Sequence, residues 1–271
     1  MNSDKNYSFF VKNHKFILDG FKNKHVILLF SGGKDSSTAL DFLLKSKDEF
    51  GFDLKVYAGA FPVHRYPEAE KEKIGNYWKN RGCSVVWLDS GKTDNFIDKA
   101  ENPCLLCQQI RKQMLKGMLA DTIKNWNKLV IVAGYSLWDI VSYSVEHLLS
   151  GIYSETNGIT DENVKKRSIE TSQRFYPLLK MKEGYSIFRP MVKFNNNDIK
   201  RIIDQENIPI ISIGCKYKDF RPKRILDNYF IKTNMNFDYD KVYDFAVKSL
   251  GIPDVSAYTS IDKEEYLVNI F

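Results

Sequence analysis

Short apolar runs and stretches of helical spacing alternate along the chain. HVILLF (25–30), DLKVYAGAF (53–61), CSVVWLD (83–89), KLVIVAG (128–134) and YSIFRPM (185–191) are rich in β-branched and large apolar side chains, which marks them as strands. KLVIVAG is apolar almost throughout, as a strand covered on both faces is. Between these runs, apolar positions recur at helical spacing over 7–21, after residue 34, over 66–82 up to Gly82, over 104–126, roughly 138–150, and 196–208. Residues 90–103 read as loop, 151–186 as a polar excursion from the sheet, and 234–271 as an aromatic-rich tail. This alternation predicts an α/β fold, a doubly wound parallel sheet of about five strands flanked by helices, with ligands at the carboxyl ends of the strands. It also divides the chain into a main domain, 1–233, and a short helical C-terminal extension, 234–271.

Composition narrows this only a little. A 43% hydrophobic fraction over 271 residues suits a globular protein with a full core. No segment approaches a membrane span, and MNSDKNYSFFVKNHK at the start lacks a signal-peptide core, so a cytoplasmic protein with no membrane association is expected. The 40 basic against 34 acidic residues give +6, which permits a polyanionic partner without requiring one.

Chemistry enters at the first strand–helix junction, FSGGKDSSTAL (30–40). A helix start presents unpaired N–H groups and partial positive charge. Gly32 and Gly33 let backbone approach a ligand, Ser31, Ser36 and Ser37 add hydroxyls, and Lys34 adds a cation. Together these make a phosphate cradle, and Asp35 is placed to hold magnesium beside the phosphates. The plain reading of the same letters is an Asp-Ser helix start after a glycine turn. The loop is too short for the Gly-x-x-x-x-Gly-Lys-Ser/Thr P-loop.

Four cysteines follow. Cys83 heads a strand and reads as structural. Cys104 and Cys107 stand one turn apart at a helix N-terminus, in ENPCLLCQQIRK, where the dipole favours thiolates. Cys215 lies far downstream in another loop. None of His14, His25, His64 and His147 is near them in sequence. An iron–sulfur cluster, a zinc site completed by another residue and a redox-active pair are all open on this count.

SGGKDS resembles the PP-loop of the ATP pyrophosphatase family, the adenine nucleotide α-hydrolase-like enzymes, in which ATP is cut between its α and β phosphates and AMP passes to a substrate oxygen. A PP-loop, a CxxC followed by a basic residue and a lone later Cys is similar to one branch, the tRNA 2-thiocytidine and 2-thiouridine synthetases, which hold a four-iron cluster on three cysteines. GYSLWDIVSYSVEHLLSG (134–151) is similar to that branch's GHxxDDxxxTxLxNxxxG, with Gly134 and Asp139 at matching places, and FRPM (188–191) resembles its RPL strand. The resemblance spans about 24–232.

The resemblance implies ATP with its phosphates on 31–37, its adenine around Gly59 and Phe61, and Gly134 beside it. It implies magnesium on Asp35 and a 4Fe-4S cluster on Cys104, Cys107 and Cys215. Lys34 and Arg111 would stabilise charge, and Asp139 would handle a proton or position the substrate. The implied activity is an ATP-dependent sulfurtransferase that adenylates a carbonyl oxygen and replaces it with sulfur, on a tRNA nucleobase. The alternatives are the same thiolation on a small molecule, such as a free base, nucleotide or amide, and a non-catalytic iron–sulfur nucleotide-binding protein. The implied partners are ATP, inorganic sulfide or a sulfur-carrier protein, tRNA, and a second copy in a homodimer. KYKDFRPKR (216–224), with five basic residues around Tyr217 and Phe220, suits RNA contact, and KKR (165–167) does so with less weight. Tyr135 and Trp138 depart from the branch's His and first Asp, and Lys218 stands where a second late Cys is often found. These departures bear on the substrate more than on the chemistry.

Overall fold

The computed structural model describes residues 5–157, 162–220 and 222–271, without the side chains of 150–157, 162–166, 222, 269 and 270. Its strands are β1 (His25–Leu29), β2 (Asp53–Gly59), β3 (Val85–Leu88), β4 (Leu129–Ala133), β5 (Leu178–Lys180) and β6 (Ser186–Phe188). The helices that matter here are α1 (Tyr7–Asp19), α2 (Lys34–Phe50), α3 (Glu68–Asn80), α4 (Asn95–Asp98), α5 (Pro103–Thr122), α6 (Leu137–Asn157), α7 (Glu162–Ser172), α8 (Asn196–Gln205), α9 (Pro222–Lys232) and α10 (Tyr239–Ser249).

Six strands form one sheet in the order β3-β2-β1-β4-β6-β5. All pairings are parallel except β5 with β6. The expected doubly wound α/β sheet is therefore present, with one more strand than the apolar runs indicate. β5 escaped that reading because only Leu179 of its three residues is buried, and it pairs as an antiparallel edge. It lies in the stretch read as a polar excursion, which also holds the end of α6 and all of α7. The strand order reverses between β1 and β4, so their carboxyl ends open the crevice where such sheets bind ligands.

Side-chain alternation along the strands builds two cores. Val26, Leu28, Val130 and Val132 face one, with Phe10, Leu40, Phe42, Ile74, Trp78 and Ile199 of α1, α2, α3 and α8. Ile27, Leu129 and Ile131 face the other, with Leu115, Leu119, Ile140 and Ala246 of α5, α6 and α10. The tail's aromatics belong to this second core. Tyr239 donates to Phe175 O at 2.7 Å, Tyr258 meets Ser172 Oγ at 2.7 Å, and Tyr266 donates to Gln173 Oε1 at 2.8 Å. The fully buried Arg189 of the FRPM strand bonds Gln173 as well and reaches Tyr176 O at 3.0 Å. Tail, edge strand and residues 172–176 thus pack as one body. Among the described residues, no helix is long and apolar enough to cross a membrane.

His14 of α1 is buried against the edge of Phe188 and bonds Phe10 O at 2.9 Å, while its Nε2 has no partner. Burial lowers its pKa from 6.5 to about 4. The neutral ring is the folded form, so its contribution is complete above the unfolded pKa and is lost as pH falls toward the folded one. That linkage removes roughly 3 kcal/mol of stability between about pH 6.5 and about pH 4. Urea midpoints measured across this range are expected to fall steeply for the native chain and less steeply for His14→Leu.

Candidate functional site

The turn between β1 and α2 is shaped from outside itself. Gly32 adopts φ 68°, and a Cβ there would lie 2.5 Å from Ile211 Cγ1, so neither the conformation nor the space admits a side chain. Ile211 N–H donates to Gly32 O at 2.7 Å. Tyr66 OH donates to Ser31 O at 3.2 Å. The Gly33 N-cap of α2 supplies no side-chain bond to the first turn, leaving that end to polar ligands. Ser31 Oγ and Ser36 Oγ lie 3.0 Å apart, and Ser31 Oγ accepts Gly33 N–H at 3.3 Å. Lys34 Nζ pairs with Asp35 Oδ1 at 2.8 Å. Ser37 is fully buried, and its Oγ has no hydrogen-bond partner among the described residues.

Gly134, at the end of β4, closes against this loop. A Cβ there would lie 3.1 Å from both Ser36 N and Ser36 Cα. The chain then turns at Ser136, whose N–H and OH donate to Asp139 Oδ2 at 2.8 and 2.9 Å. Lys223 of α9 forms a salt bridge to the other oxygen, Oδ1. Burial opposes ionisation of Asp139, yet the Lys223 ammonium and the Ser136 bonds hold its carboxyl below the usual range. Asp139, Asp35 and Asp227 in turn raise the Lys223 pKa against the cost of its burial. In the sequence Lys223 stands out only as part of a basic stretch suited to RNA, and no spacing rule links it to Asp139. Arg221 lies outside the described residues, as do the side chains of Lys165 and Lys166.

A cavity of about 320 Å³ runs across the carboxyl ends of the strands. It is lined by Ser31, Ser36, Gly59 and Gly134, by the apolar Leu88 and Met118, and by Arg111. Arg111 Nε lies 3.7 Å from the place a Gly59 Cβ would take. Also on its lining, the buried Arg174 guanidinium stacks on Tyr135 at 4.9 Å and Tyr143 at 5.0 Å and pairs with Glu170 at 2.8 Å. Neither Arg174 nor Glu170 carries a motif that would have marked it. Phe61 does not reach the cavity: its ring is fully buried among the cysteines. At this end of β2 the cavity is lined by Gly59 and not by Phe61.

Cys104, Cys107 and Cys215 share one apolar cluster with Phe61, Ile97, Ile110 and Tyr217. Asn102 caps α5, accepting Leu105 N–H at 3.1 Å, and Pro103 takes the first helical position, so Cys104 and Cys107 fall on the first turns. The Cys104 thiol donates to Tyr217 O at 3.3 Å. All four cysteines lie among the described residues and none is in a disulfide. Burial raises the Cys83 pKa, and that thiol packs in the first core, away from the other three. The loop bearing Cys215 is stitched on every side. Ser212 bonds Glu70 at 3.0 Å, Ile213 O accepts Arg65 Nε–H at 3.3 Å, and Lys216 pairs with Asp98 at 2.7 Å. Lys216 N–H donates to His64 Nε2 at 3.1 Å, and His64 Nδ1 meets Asp94 at 2.6 Å. A histidine therefore does stand beside the cysteines, contrary to its distance in sequence, although it supports the loop. Among the described residues, no three His, Cys, Asp or Glu side chains are placed to hold one metal ion together. Sulfurs on a polynuclear cluster bind different irons and stand further apart than donors to a single ion, and soft thiolates suit iron–sulfur chemistry.

The architecture is an α/β fold of the PP-loop type. It superposes on the U34-tRNA thiolase NcsA from Methanococcus maripaludis, whose structure holds its 4Fe-4S cluster, with a TM-score of 0.61 at 16% identity over 92% of this chain and 81% of that one. In sequence the chain is 25% identical over 205 residues to an uncharacterized protein of Methanocaldococcus jannaschii, covering 72% of this chain. It is 25% identical over 209 residues to the tRNA-cytidine(32) 2-sulfurtransferase of Aliivibrio fischeri, covering 74% of this chain. The match spans 63% and 58% of the length of those two relatives. No family model matches the sequence. The resemblance to the PP-loop tRNA-thiolation family thus holds in fold and in sequence.

Gly134 supplies a direct check of the loop. Gly134→Ala forces a methyl against Ser36 backbone, an overpacking of roughly 1–3 kcal/mol, and is expected to weaken binding of an adenine nucleotide about tenfold or more. Gly117→Ala on α5, where a Cβ meets nothing within 4 Å, is the control expected to bind as the native chain does. Calorimetric titration with MgATP reads both.

Proposed function

We propose that this protein is an ATP-dependent sulfurtransferase acting on a carbonyl-bearing nucleobase of tRNA. One observation carries the reading. The segment 211–217 bonds the PP-loop turn through Ile211 and places Cys215 in the cluster with Cys104 and Cys107. Phosphate chemistry and sulfur chemistry are thereby held at one end of one sheet.

In this reading the α2 N-terminus, Ser31, Ser36 and Lys34 hold the ATP phosphates, and Asp35 is the residue to carry magnesium. The apolar part of the cavity lining, with Leu88 and Met118, takes the adenine beside Gly59. A carbonyl oxygen of the acceptor attacks the α-phosphorus and pyrophosphate leaves. Lys34, Arg111 and backbone N–H groups meet the charge that develops, as preorganised donors do. Asp139 receives the proton that the acceptor loses. Sulfur then bonds the activated carbon, and AMP departs with the former carbonyl oxygen. A 4Fe-4S cluster on Cys104, Cys107 and Cys215 would supply an open iron to carry that sulfur. The relatives' tRNA substrates, the +6 charge and the basic, aromatic stretch 216–224 favour tRNA over a small molecule as acceptor.

Anaerobic purification followed by iron and sulfide counts and an absorption spectrum tests the sulfur half. About four irons per chain with a broad visible band are expected, and Cys104→Ser, Cys107→Ser and Cys215→Ser should each lose the band while Cys83→Ser keeps it. A colourless native protein carrying zinc overturns the reading. The nucleotide half is tested by Asp35→Ala, which should abolish tRNA-dependent pyrophosphate release.

A further inference from the structure

Lys223 connects two groups that the proposed chemistry uses separately. Its ammonium is paired with Asp139, and one third of its side-chain surface stays exposed. The helix beneath it is fixed. Phe230 of α9 packs edge-on against Trp138 at 5.4 Å and against Phe237 at 5.1 Å. Trp138 occupies the motif position where the family's first Asp is expected, so the same departure that removes one carboxylate anchors the helix bearing Lys223. Lys223 also lies within electrostatic reach of Asp35 on the PP-loop and Asp227 on its own helix, and Asp139 within reach of Lys34. Asp139 itself is tied to the loop through Ser136 and Gly134, which touches Ser36. A lysine on a flexible four-carbon stem, rooted in a fixed helix, can change anion without moving the backbone.

We propose that Lys223 is a positioning residue shared between two anions, the Asp139 carboxylate and the polyphosphate of a nucleotide on the 31–37 loop. The proposal rests on the ATP reading above and adds a coupling to it. Before nucleotide binds, Lys223 neutralises Asp139 and makes it a poor proton acceptor. A polyphosphate, carrying several charges, draws the ammonium away. Asp139 then keeps only its Ser136 bonds and is free to take the acceptor's proton as the acceptor oxygen bonds phosphorus and the bond to pyrophosphate breaks. Proton acceptance is thus switched on by the substrate that makes it useful.

The test is a double-mutant cycle on binding of magnesium α,β-methylene-ATP, which is not cleaved between those phosphates, by calorimetry. Lys223→Met is expected to weaken binding about tenfold, the size of one charge-assisted hydrogen bond. Asp139→Asn removes the competitor and is expected to tighten binding about threefold or more. In the Lys223→Met background Asp139→Asn should change nothing. A merely structural ion pair predicts the opposite for Asp139→Asn, a loss or no change. Lys223→Met alone leaves a buried carboxylate unpaired, and if it fails to fold, the double variant, which leaves none, is compared with Asp139→Asn and should bind about thirtyfold more weakly. Equal binding by those two, or Asp139→Asn no tighter than the native chain, overturns the proposal and leaves the nucleotide site standing. Failure of the native chain to bind the analogue at all overturns the ATP reading and this inference together.

Discussion

Ile211 N–H to Gly32 O is one hydrogen bond of 2.7 Å, yet the arrangement of the carboxyl edge depends on it. Gly32 holds a left-handed conformation with no room for a Cβ, because Ile211 fills that room. The loop that fills it goes on to Cys215 four residues later. Bonds to Glu70 and Arg65 fix its course between the two places, and those of Lys216 to His64 and Asp98 hold it just beyond Cys215. A displacement of the cysteine loop is therefore felt at the glycine turn, and the reverse. Buried, mutually supporting contacts of this kind have few intermediate positions, since close-packed interiors transmit strain instead of absorbing it.

Charge is arranged with the same economy. Lys34 and Asp35 pair on the loop, Lys223 and Asp139 pair beside it, and Arg174 with Glu170 lines the cavity. Burying any of these ions alone would cost several kcal/mol, so each is retained with a partner. A row of paired charges along one crevice can exchange partners with an incoming polyanion at small net cost, which uncharged side chains could not do. Arg174 is held by two tyrosine rings set edge to face with each other and by Glu170, and its neighbour Gln173 is bonded by Tyr266 of the tail.

The sheet was legible because its strands are buried on both faces, which writes nearly unbroken apolar runs such as KLVIVAG. β5 was not, because an edge strand with one buried residue writes no run at all. The glycine turn and the cysteine spacing were legible for a different reason, since each needs particular residue types at fixed offsets. Contacts between distant segments left no such trace. Nothing local to His64 places it against Lys216, and nothing local to Lys223 aims it at Asp139. Phe61 and Ser37 are both fully buried although Gly59 and Ser36 close by line the cavity, because successive residues of a chain point in different directions. The tail's tyrosines read as mere aromatic richness until the 172–176 segment gave their hydroxyls partners.

The Cys104 thiol and the Tyr217 carbonyl it meets are 113 residues apart in the chain, with β4, α6, β5, β6 and α8 between them. Such a pairing forms late, because loop closure over that span is entropically costly until intervening strands have docked. A nascent chain emerging in order exposes Cys104 and Cys107 long before Cys215 exists to join them. The three sulfurs are accordingly brought together only once the intervening strands and helices have docked, so their convergence reports completion of the fold.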